Sequence, residues 1–473
     1  MRKKLFAVAL ALTMVVGTLA GCNSNDAGTS TDNNNTTTTE ENTAAPEIEK
    51  IADGGGKVLN IYVWNTDFQK MIEKYYPDYD KKTGTIGDVK VNFIQNPNEG
   101  GVYQKKLDEA LTAQESAAAD DKIDIFLCEM DYVNKYTNTT LAAPILGLDI
   151  AESDLAQMYN YTKVAATDDS GVLRGISWQG CPAGFIYRRS YAKDIFGTDD
   201  PEQIQEQLKD WDSFTAAAEK VKEASDGKIT MLSGYADAIR VYANNVSQKF
   251  VSDDNKLQLD PALEAWIDQT KDYTDKGYNQ KTKIWDDDWQ AGMGENGNVF
   301  GYFGPAWLIN FTMAPNSGSK TDKDGNYTGG GSYGDWAICT GPQSFNWGGS
   351  FICAATGTDN ATLVADIMKK FCTDKDIMCK ISEGTQDFIN NKEANAQLEK
   401  DGVTSGLLGG QSLVAALGAA AENIDCSNIS PYDQMCIENL YNAMYDYFDG
   451  KCSKDEAIAK WKDETHKSYP ELK

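Results

Sequence analysis

The chain has 473 residues, of which 41% are hydrophobic, and its formal charge is −27 at neutral pH. This length suffices for two or three domains with sizeable cores, and the acidic balance argues against nucleic acid or an anionic lipid surface as a partner. The single histidine, His466, excludes most Ser-His-Asp, Cys-His and histidine-rich zinc chemistry.

The N-terminus has the layout of an export signal. A basic head (Arg2 to Lys4) precedes an apolar run over residues 5–16 and then Leu19-Ala20-Gly21-Cys22. The apolar run is too short to remain as a membrane-spanning helix. We therefore predict a signal peptide over residues 1–21, resembling that of bacterial lipoproteins, and a lipidated Cys22. The alternative is an ordinary signal peptide with a chance cysteine.

A polar segment follows Cys22. Residues 23–50 are rich in Asn, Thr, Ser, Asp and Glu, and they have too little apolar surface to offset the entropy of the chain. Residues 22–56 are therefore predicted to be a disordered tether between the lipid and a domain that begins near Lys57. The domain would lie outside the cytoplasm, held at the membrane by the lipid.

The start of the domain shows alternating strand and helix patterns. Strands are predicted at 58–64, 89–94 and 123–127, and helices at 68–76 and 103–114. The β-α-β-α-β order predicts a parallel sheet covered by helices, whose ligands bind beyond the carboxyl ends of its strands. The residues predicted at these ends include Trp64, Asn65, Asp67, Glu129, Asp131 and Tyr132.

Nine cysteines remain besides Cys22, which is an odd number, and none forms a Cys-x-x-Cys pair. Metal-binding and redox motifs of that type are therefore absent from the sequence. Several of these cysteines lie in apolar runs, such as Cys128 and Cys353. The pattern favours free, buried thiols that act as small hydrophobic side chains.

Further along the chain, seven ordered pieces resemble one family. They are 171–178 with 184–190, Trp211-Asp212-Ser213-Phe214, 298–307, 333–338 with Gly341-Pro342, 347–351 and 363–373. Together with the lipoprotein-like N-terminus, they are similar to the family 1 extracellular solute-binding proteins, over about residues 57–470. That family includes the maltose-binding protein and many oligosaccharide-binding lipoproteins of ABC importers.

The resemblance implies a periplasmic-binding-protein-like α/β fold with two α/β lobes joined by a multi-strand hinge. Lobe one would comprise residues 57–178 plus 332–380, and lobe two residues 184–325 plus 385–473. The chain would cross between the lobes near residues 178–184, 325–332 and 380–385. Sugar would bind in the cleft between the lobes.

A neutral sugar needs flat aromatic surfaces and planar polar groups. By the resemblance, Trp307 is the best stacking residue, Trp178 and Gln179 lie at the first crossing, and Gln386 lies where the chain re-enters lobe two. Trp347 precedes two glycines that let a ligand approach the backbone. The predicted ligand-binding set is Trp64, Asn65, Asp67, Glu129, Asp131, Tyr132, Trp178, Gln179, Trp285, Asp286, Asp287, Trp307, Trp347 and Gln386. Trp211 and Trp266 have helical spacing and are predicted to lie in the core.

The cluster around Trp285, Asp286 and Asp287 has three interpretations. It is a solvated acidic turn, an aromatic and carboxylate contact with sugar, or a calcium loop that lacks EF-hand spacing. We predict no metal and no other cofactor.

These features predict a monomeric binding protein that captures a neutral oligosaccharide and delivers it to the permease of an ABC importer. A lipid-anchored glycoside hydrolase is the alternative, because the chain has many carboxylates, although it shows no eightfold β/α repeat. A structural adhesin is a third class, which would need neither hinge nor cleft.

Overall fold

The computed structural model describes residues 48–98, 101–323 and 325–473. The predicted signal peptide, Cys22 and the tether up to residue 47 lie outside these residues. The Ile51 amide donates to the Gly147 carbonyl at 2.8 Å, and the Gly56 amide donates to the Asp359 carbonyl at 3.0 Å. The folded unit therefore begins several residues before the predicted start at Lys57.

The strands are β1 Val58–Val63, β2 Tyr79–Asp80, β3 Thr85–Ile86, β4 Val89–Gln95, β5 Ile125–Glu129, β6 Ile176–Ser177, β7 Pro182–Arg188, β8 Leu232–Gly234, β9 Asn279–Thr282, β10 Gly301–Pro305, β11 Lys320–Thr321, β12 Tyr327–Gly329, β13 Trp336–Cys339, β14 Phe345–Asn346 and β15 Ser350–Ala354.

The α-helices are α1 Asp67–Tyr75, α2 Val102–Ala113, α3 Val133–Thr137, α4 Asn160–Ala165, α5 Arg189–Phe196, α6 Pro201–Gln207, α7 Trp211–Ala224, α8 Ile239–Asn244, α9 Pro261–Lys276, α10 Asp287–Ala291, α11 Ala314–Asn316, α12 Ala361–Cys372, α13 Lys375–Thr385, α14 Lys392–Lys400, α15 Leu413–Ala421, α16 Asp433–Phe448 and α17 Lys454–Ser468. Short 3₁₀ turns lie at Gln114–Ser116, Ala119–Asp121, Ile145–Leu148 and Glu152–Leu155, and a π-helical turn spans Leu308–Met313.

The first sheet has seven strands in the order β2-β3-β4-β1-β5-β15-β6. Strand β1 pairs in parallel with both β4 and β5, which confirms the predicted β-α-β-α-β unit. Every β1 side chain after Val58 is buried, as expected for a parallel strand with both faces covered. The carboxyl ends of β1 and β5 therefore lie at the same edge of the sheet.

The second sheet has the order β10-β7-β13, and β14 also pairs with β7. Strand β6 belongs to the first sheet and β7 to the second, so sheet membership changes within the predicted crossing at 178–184. The predicted return at 325–332 does not match the pairing, because strands β13 and β14 hydrogen-bond to β7. The chain re-enters the first sheet only with β15, after Asn346.

Two groups of buried side chains form the core. One lies on a face of the first sheet and includes residues of α12, α13 and α14 such as Ile367, Ile381 and Leu398. The other begins on the opposite face and continues through the second sheet to α15, α16 and α17. Helix α14 therefore packs with the first sheet, although the prediction assigns residues 385–473 to lobe two. The remaining lobe ranges stay a prediction.

The nine cysteines of the described part form no disulfide, and seven of them are buried. Burial raises the pKa of the Cys128 thiol well above its usual range, so this group is un-ionised and unreactive. The prediction of free, buried thiols is confirmed. Within the described ranges, no helix combines the length and the apolar character needed to cross a membrane.

Candidate functional site

Two cavities lie where the carboxyl ends of the first sheet's strands meet elements of the second sheet. The Trp307 cavity, of about 210 Å³, is lined by Glu129, Asp131, Arg240, Trp285, Trp307 and Trp347, among others. The Trp178 cavity, of about 480 Å³, is lined by Trp64, Asn65, Asp67, Trp178, Gln179, Phe311, Gln386 and Asp387, among others. Its volume falls within the range of small-molecule sites, about 300–1,000 Å³.

Three tryptophans from separate segments meet at the Trp307 cavity. The rings of Trp285 and Trp307 are stacked, with centroids 6.3 Å apart and planes at 25°. The Trp347 ring stands on edge to Trp307 at 5.0 Å. The Trp307 Nε1–H donates to the Trp347 carbonyl at 2.9 Å, which fixes the orientation of the ring. The site thus offers flat apolar faces whose positions are set in advance of binding.

Unusual backbone conformations allow this cluster to form. Trp285 has φ of 73°, a left-handed conformation that is uncommon for a bulky residue, and its side chain is 44% exposed. Gly348 has φ of 80°, and a Cβ there would lie 2.8 Å from Glu129 Oε1 and 3.1 Å from Trp307 Nε1. Only glycine lets the Trp347 segment approach both side chains.

A partly buried ion pair joins the two sheets beside the tryptophans. Asp131, just after β5, accepts from Arg240 of α8 at 2.6 Å, and the side chains are 16% and 12% exposed. The guanidinium also lies 5.6 Å from the Trp347 ring centroid, a cation–π distance. Arg240 was missing from the predicted site. The sequence feature that could have indicated Arg240 is its position as the one charged residue in the otherwise apolar run 238–242.

Glu129 contributes a second carboxyl group to the Trp307 cavity. Its Oε2 accepts from the Asp131 amide at 2.9 Å. Burial, and to a lesser extent the nearby Asp131 charge, raises the pKa of Glu129 to about 8. At neutral pH this carboxyl is therefore mostly protonated, and it can donate a hydrogen bond as well as accept one.

The Trp178 cavity gathers the other predicted polar residues. Asn65 and Asp67 form a tight turn before α1: the Asp67 amide donates to Asn65 Oδ1 at 3.0 Å, and Asn65 Nδ2 donates to Asp67 Oδ2 at 2.8 Å. Gln386 has φ of 58°, and its carbonyl accepts from Asn310 Nδ2 at 3.1 Å. Trp64 packs edge-on against Tyr103.

Two of the predicted residues serve structure as well as lining the Trp178 cavity. The Trp178 side chain is 4% exposed and is stacked on Phe68, with centroids 5.4 Å apart. Gln179 Nε2 donates to Asp387 Oδ2 at 2.9 Å, and its Oε1 accepts from the Ser350 amide at 3.0 Å. The Trp178 ring is therefore packed against the protein, and the side-chain amide of Gln179 already has hydrogen-bond partners within the protein.

Three predicted residues line neither cavity. Tyr132 is 1% exposed and packs against Tyr136 in the core, because it begins a helix that turns back over the sheet. Asp286 and Asp287 are exposed at the start of α10, which matches the solvated-turn interpretation. Trp289, the last residue of that cluster, is buried and donates to Asp237 at 2.7 Å.

The donor groups of the described residues do not suggest a metal centre. Over these residues, no three His, Cys, Asp or Glu side chains lie close enough to hold an ion.

Four carboxyl groups predict how stability depends on pH: Asp237 and Asp387 are buried, and Glu129 and Asp433 are partly buried. Burial is the main cause that raises the pKa of Glu129 to about 8, of Asp433 to about 7, and of Asp237 and Asp387 to about 6. The folded protein then binds these protons more tightly than the unfolded chain, where such groups titrate near pH 4. The free energy of unfolding should fall by several kcal/mol as the pH rises from about 5 to about 8, since one pKa unit corresponds to about 1.4 kcal/mol.

Urea unfolding at intervals across that pH range measures this dependence. Glu129→Gln should lose most of the fall above about pH 7, whereas the exposed Glu152→Gln should follow the wild-type profile. A stability that rises through this range would contradict the assignment.

A comparison with family models matches residues 74–405 to the bacterial extracellular solute-binding protein family. A search of curated proteins found no match. Among solved structures, an extracellular solute-binding protein of family 1 is 17% identical, with a TM-score of 0.69 over 87% of this chain and 99% of that one.

Two sugar-bound structures are also similar. An ABC transporter-associated binding protein from B. animalis subsp. lactis, in complex with beta-1,6-galactobiose, is 19% identical, with a TM-score of 0.60 over 86% of this chain and 96% of that one. The galacto-N-biose-/lacto-N-biose I-binding protein from Bifidobacterium longum is 14% identical, with a TM-score of 0.61 over 89% and 98%. These structural similarities establish the fold, which is periplasmic-binding-protein-like, as predicted. Because the family model spans most of the folded chain, the protein belongs to the bacterial extracellular solute-binding proteins.

Proposed function

We propose that this protein captures a neutral oligosaccharide between its two sheets and delivers it to an ABC importer. The observation that carries the proposal is the Trp307 cavity, where three tryptophans surround Glu129 and the Asp131–Arg240 pair. Aromatic faces suit the C–H faces of sugar rings, and fixed planar polar groups suit their hydroxyls. The sugar-bound relatives of the same fold support this choice of ligand.

The charges at the site favour a neutral ligand. Asp131 already neutralises Arg240 at 2.6 Å, so the guanidinium is not available to pair with an anionic sugar. Glu129 is mostly un-ionised at neutral pH, so it does not demand a cation. The Asp131–Arg240 pair and the Glu129 carboxyl group still have free lone pairs or N–H and O–H groups that can form hydrogen bonds with sugar hydroxyls.

The rest of the proposal concerns location and partners. The export-type N-terminus and Cys22 support an extracytoplasmic, lipid-anchored protein. Membership of the solute-binding family supports a membrane permease as its partner, and we take the protein to act as a monomer. The binding role is preferred to hydrolysis, because Asp131, one of the three carboxyl groups that line the Trp307 cavity with Glu129 and Glu438, is held by an arginine rather than placed free opposite Glu129.

Thermal unfolding with a panel of ligands tests the function. The panel holds glucose, galactose, the maltose to maltohexaose, cellobiose to cellohexaose and xylobiose to xylohexaose series, β-linked galactobioses, glucuronate, amino acids and calcium. A sugar that binds only the folded state adds about 2.7 kcal/mol of stability at a hundredfold excess over Kd, so Tm should rise with its concentration.

The same incubations distinguish binding from hydrolysis when the sugars are analysed by chromatography afterwards. We expect the sugar that raises Tm to be recovered intact. If Tm rises only with amino acids or calcium and with no neutral sugar, the proposed function is refuted. If the sugar is recovered cleaved, the glycoside hydrolase alternative is favoured.

A further inference from the structure

Both cavities contain the same pair of features. Of the described residues, four large hydrophobic side chains are exposed: Val102, Leu146, Trp285 and Phe311. The two aromatic ones each line one cavity, Trp285 at 44% exposed and Phe311 at 58%. Each of these cavities therefore offers an aromatic ring that the core does not cover.

Each cavity also has a carboxyl group that is wholly or partly withdrawn from solvent. In the Trp307 cavity it is the partly buried Glu129, and in the Trp178 cavity it is Asp387, which is 7% exposed. Asp387 Oδ2 accepts from Gln179, but Oδ1 has no hydrogen-bond partner within the described residues. The neighbouring Thr385 hydroxyl donates to the Ile381 carbonyl at 2.9 Å. A buried carboxylate oxygen without a donor is costly, and a donor from a ligand would satisfy it.

The two cavities are adjacent, because three segments each contribute to both. Strand β5 places Leu127 at one cavity and Glu129 at the other, about 7 Å further along the strand. At the start of β15, Ser350 lines the Trp178 cavity, and the nearby Trp347 lines the Trp307 cavity.

The third segment leads from Trp307 into the π-helical turn Leu308–Met313. Trp307 lines one cavity, and Asn310 and Phe311 line the other. Single π-helical turns are rare and are found often at functional sites. Within this turn Phe311 is 58% exposed, whereas its neighbours Leu308, Ile309 and Met313 are buried.

We propose that the Trp178 cavity is a second sugar subsite, in which Phe311 provides the stacking face and Asp387 accepts a hydroxyl hydrogen bond. The inference rests on the proposed function. It specifies the ligand as an oligosaccharide long enough to pass Trp307 and occupy both cavities. We expect a disaccharide at the Trp307 cavity to leave Phe311 uncontacted, because Phe311 lines only the Trp178 cavity.

Calorimetry with the maltose, cellobiose and xylobiose series up to the hexasaccharides tests this length preference. The wild type should bind a tetrasaccharide of the preferred series about tenfold or more tightly than the disaccharide. In Phe311→Ala and Asp387→Asn, most of this gain should be lost, while the Kd of the disaccharide stays within about twofold. Leu146→Ala removes an exposed side chain outside both cavities and should keep the full gain.

The outcomes separate the two proposals. If no sugar of any length binds the wild type, the proposed function fails. If the wild type binds tetrasaccharide no more tightly than disaccharide, the second subsite is wrong and the proposed function stands. The same holds if Phe311→Ala and Asp387→Asn both keep the full increase in affinity with length. Phe311 is exposed, so its truncation leaves the fold intact and keeps the test valid even if Asp387→Asn unfolds.

Discussion

Trp307→Ala should weaken sugar binding by about 2 kcal/mol or more, which is about 30-fold in Kd. The ring is partly buried, stacks with Trp285 and holds its edge against Trp347 through the Nε1–H bond at 2.9 Å. Truncation removes a stacking face and also releases the two other rings. Calorimetry with the sugar found in the thermal screen measures the change.

Trp211→Ala is a matched control for this substitution. Trp211 is also partly buried, and it also makes one indole hydrogen bond, to Gln343 Oε1 at 2.8 Å. It stacks on Tyr242 at 4.3 Å and lines neither cavity. We expect it to lower Tm and leave Kd unchanged. Equal affinities for the two folded variants would remove Trp307 from the site.

Much of the fold could be predicted because its elements have strong local patterns. The apolar run of β1 and the alternation of β4 indicated a parallel sheet, and the caps of α1 and α12 fell within a few residues of their predicted ends. The return between sheets could not be placed, because β13 and β14 are short strands, of four and two residues, whose sequences would suit either sheet. Only their hydrogen bonds to β7 assign them.

The site was predictable to the level of strand ends, but not of side-chain direction. Asp131 lies in the Trp307 cavity, whereas its neighbour Tyr132 is in the core, because successive residues there point to opposite sides. Likewise Gln386 was predicted, yet the left-handed conformation at that residue leaves its side chain exposed and buries Asp387.

Two further residues were missed because their signal is three-dimensional. Arg240 is notable only once Asp131 is seen opposite it, on the other sheet. Phe311 lies in the largely apolar run 308–313, and the sequence does not show that its ring, unlike the side chains of its buried neighbours, faces a cavity. Long-range partners and unusual helical turns leave little trace in local sequence.

The lobes are expected to close on the ligand, and the Asp131–Arg240 pair should hold the closed form. The pair joins the end of β5 in the first sheet to α8 beside the second. Gln104 of α2 likewise donates to Gln434 of α16 at 2.7 Å. In the wild type, a saturating sugar should therefore reduce the radius of gyration in small-angle scattering.

Arg240→Met should largely abolish that reduction. Methionine retains apolar bulk against Trp347 but leaves the Asp131 carboxylate without its cation, close to Glu129. Removing one partner of a buried pair typically costs about 3–5 kcal/mol, and this cost falls on the closed form because opening re-solvates Asp131. Adding Asp131→Asn should restore part of the closure, since the unpaired charge is then gone.

Arg174→Ala separates closure from general destabilisation. Arg174 pairs with Asp168 at 2.7 Å, and their side chains are 15% and 10% exposed, much like the Asp131–Arg240 pair. Both residues lie in one loop preceding β6, so the pair does not join the two sheets. This variant should lose stability and still close on sugar. If Arg240→Met contracts as fully as the wild type, the ion pair is structural and closure depends on the ligand contacts alone.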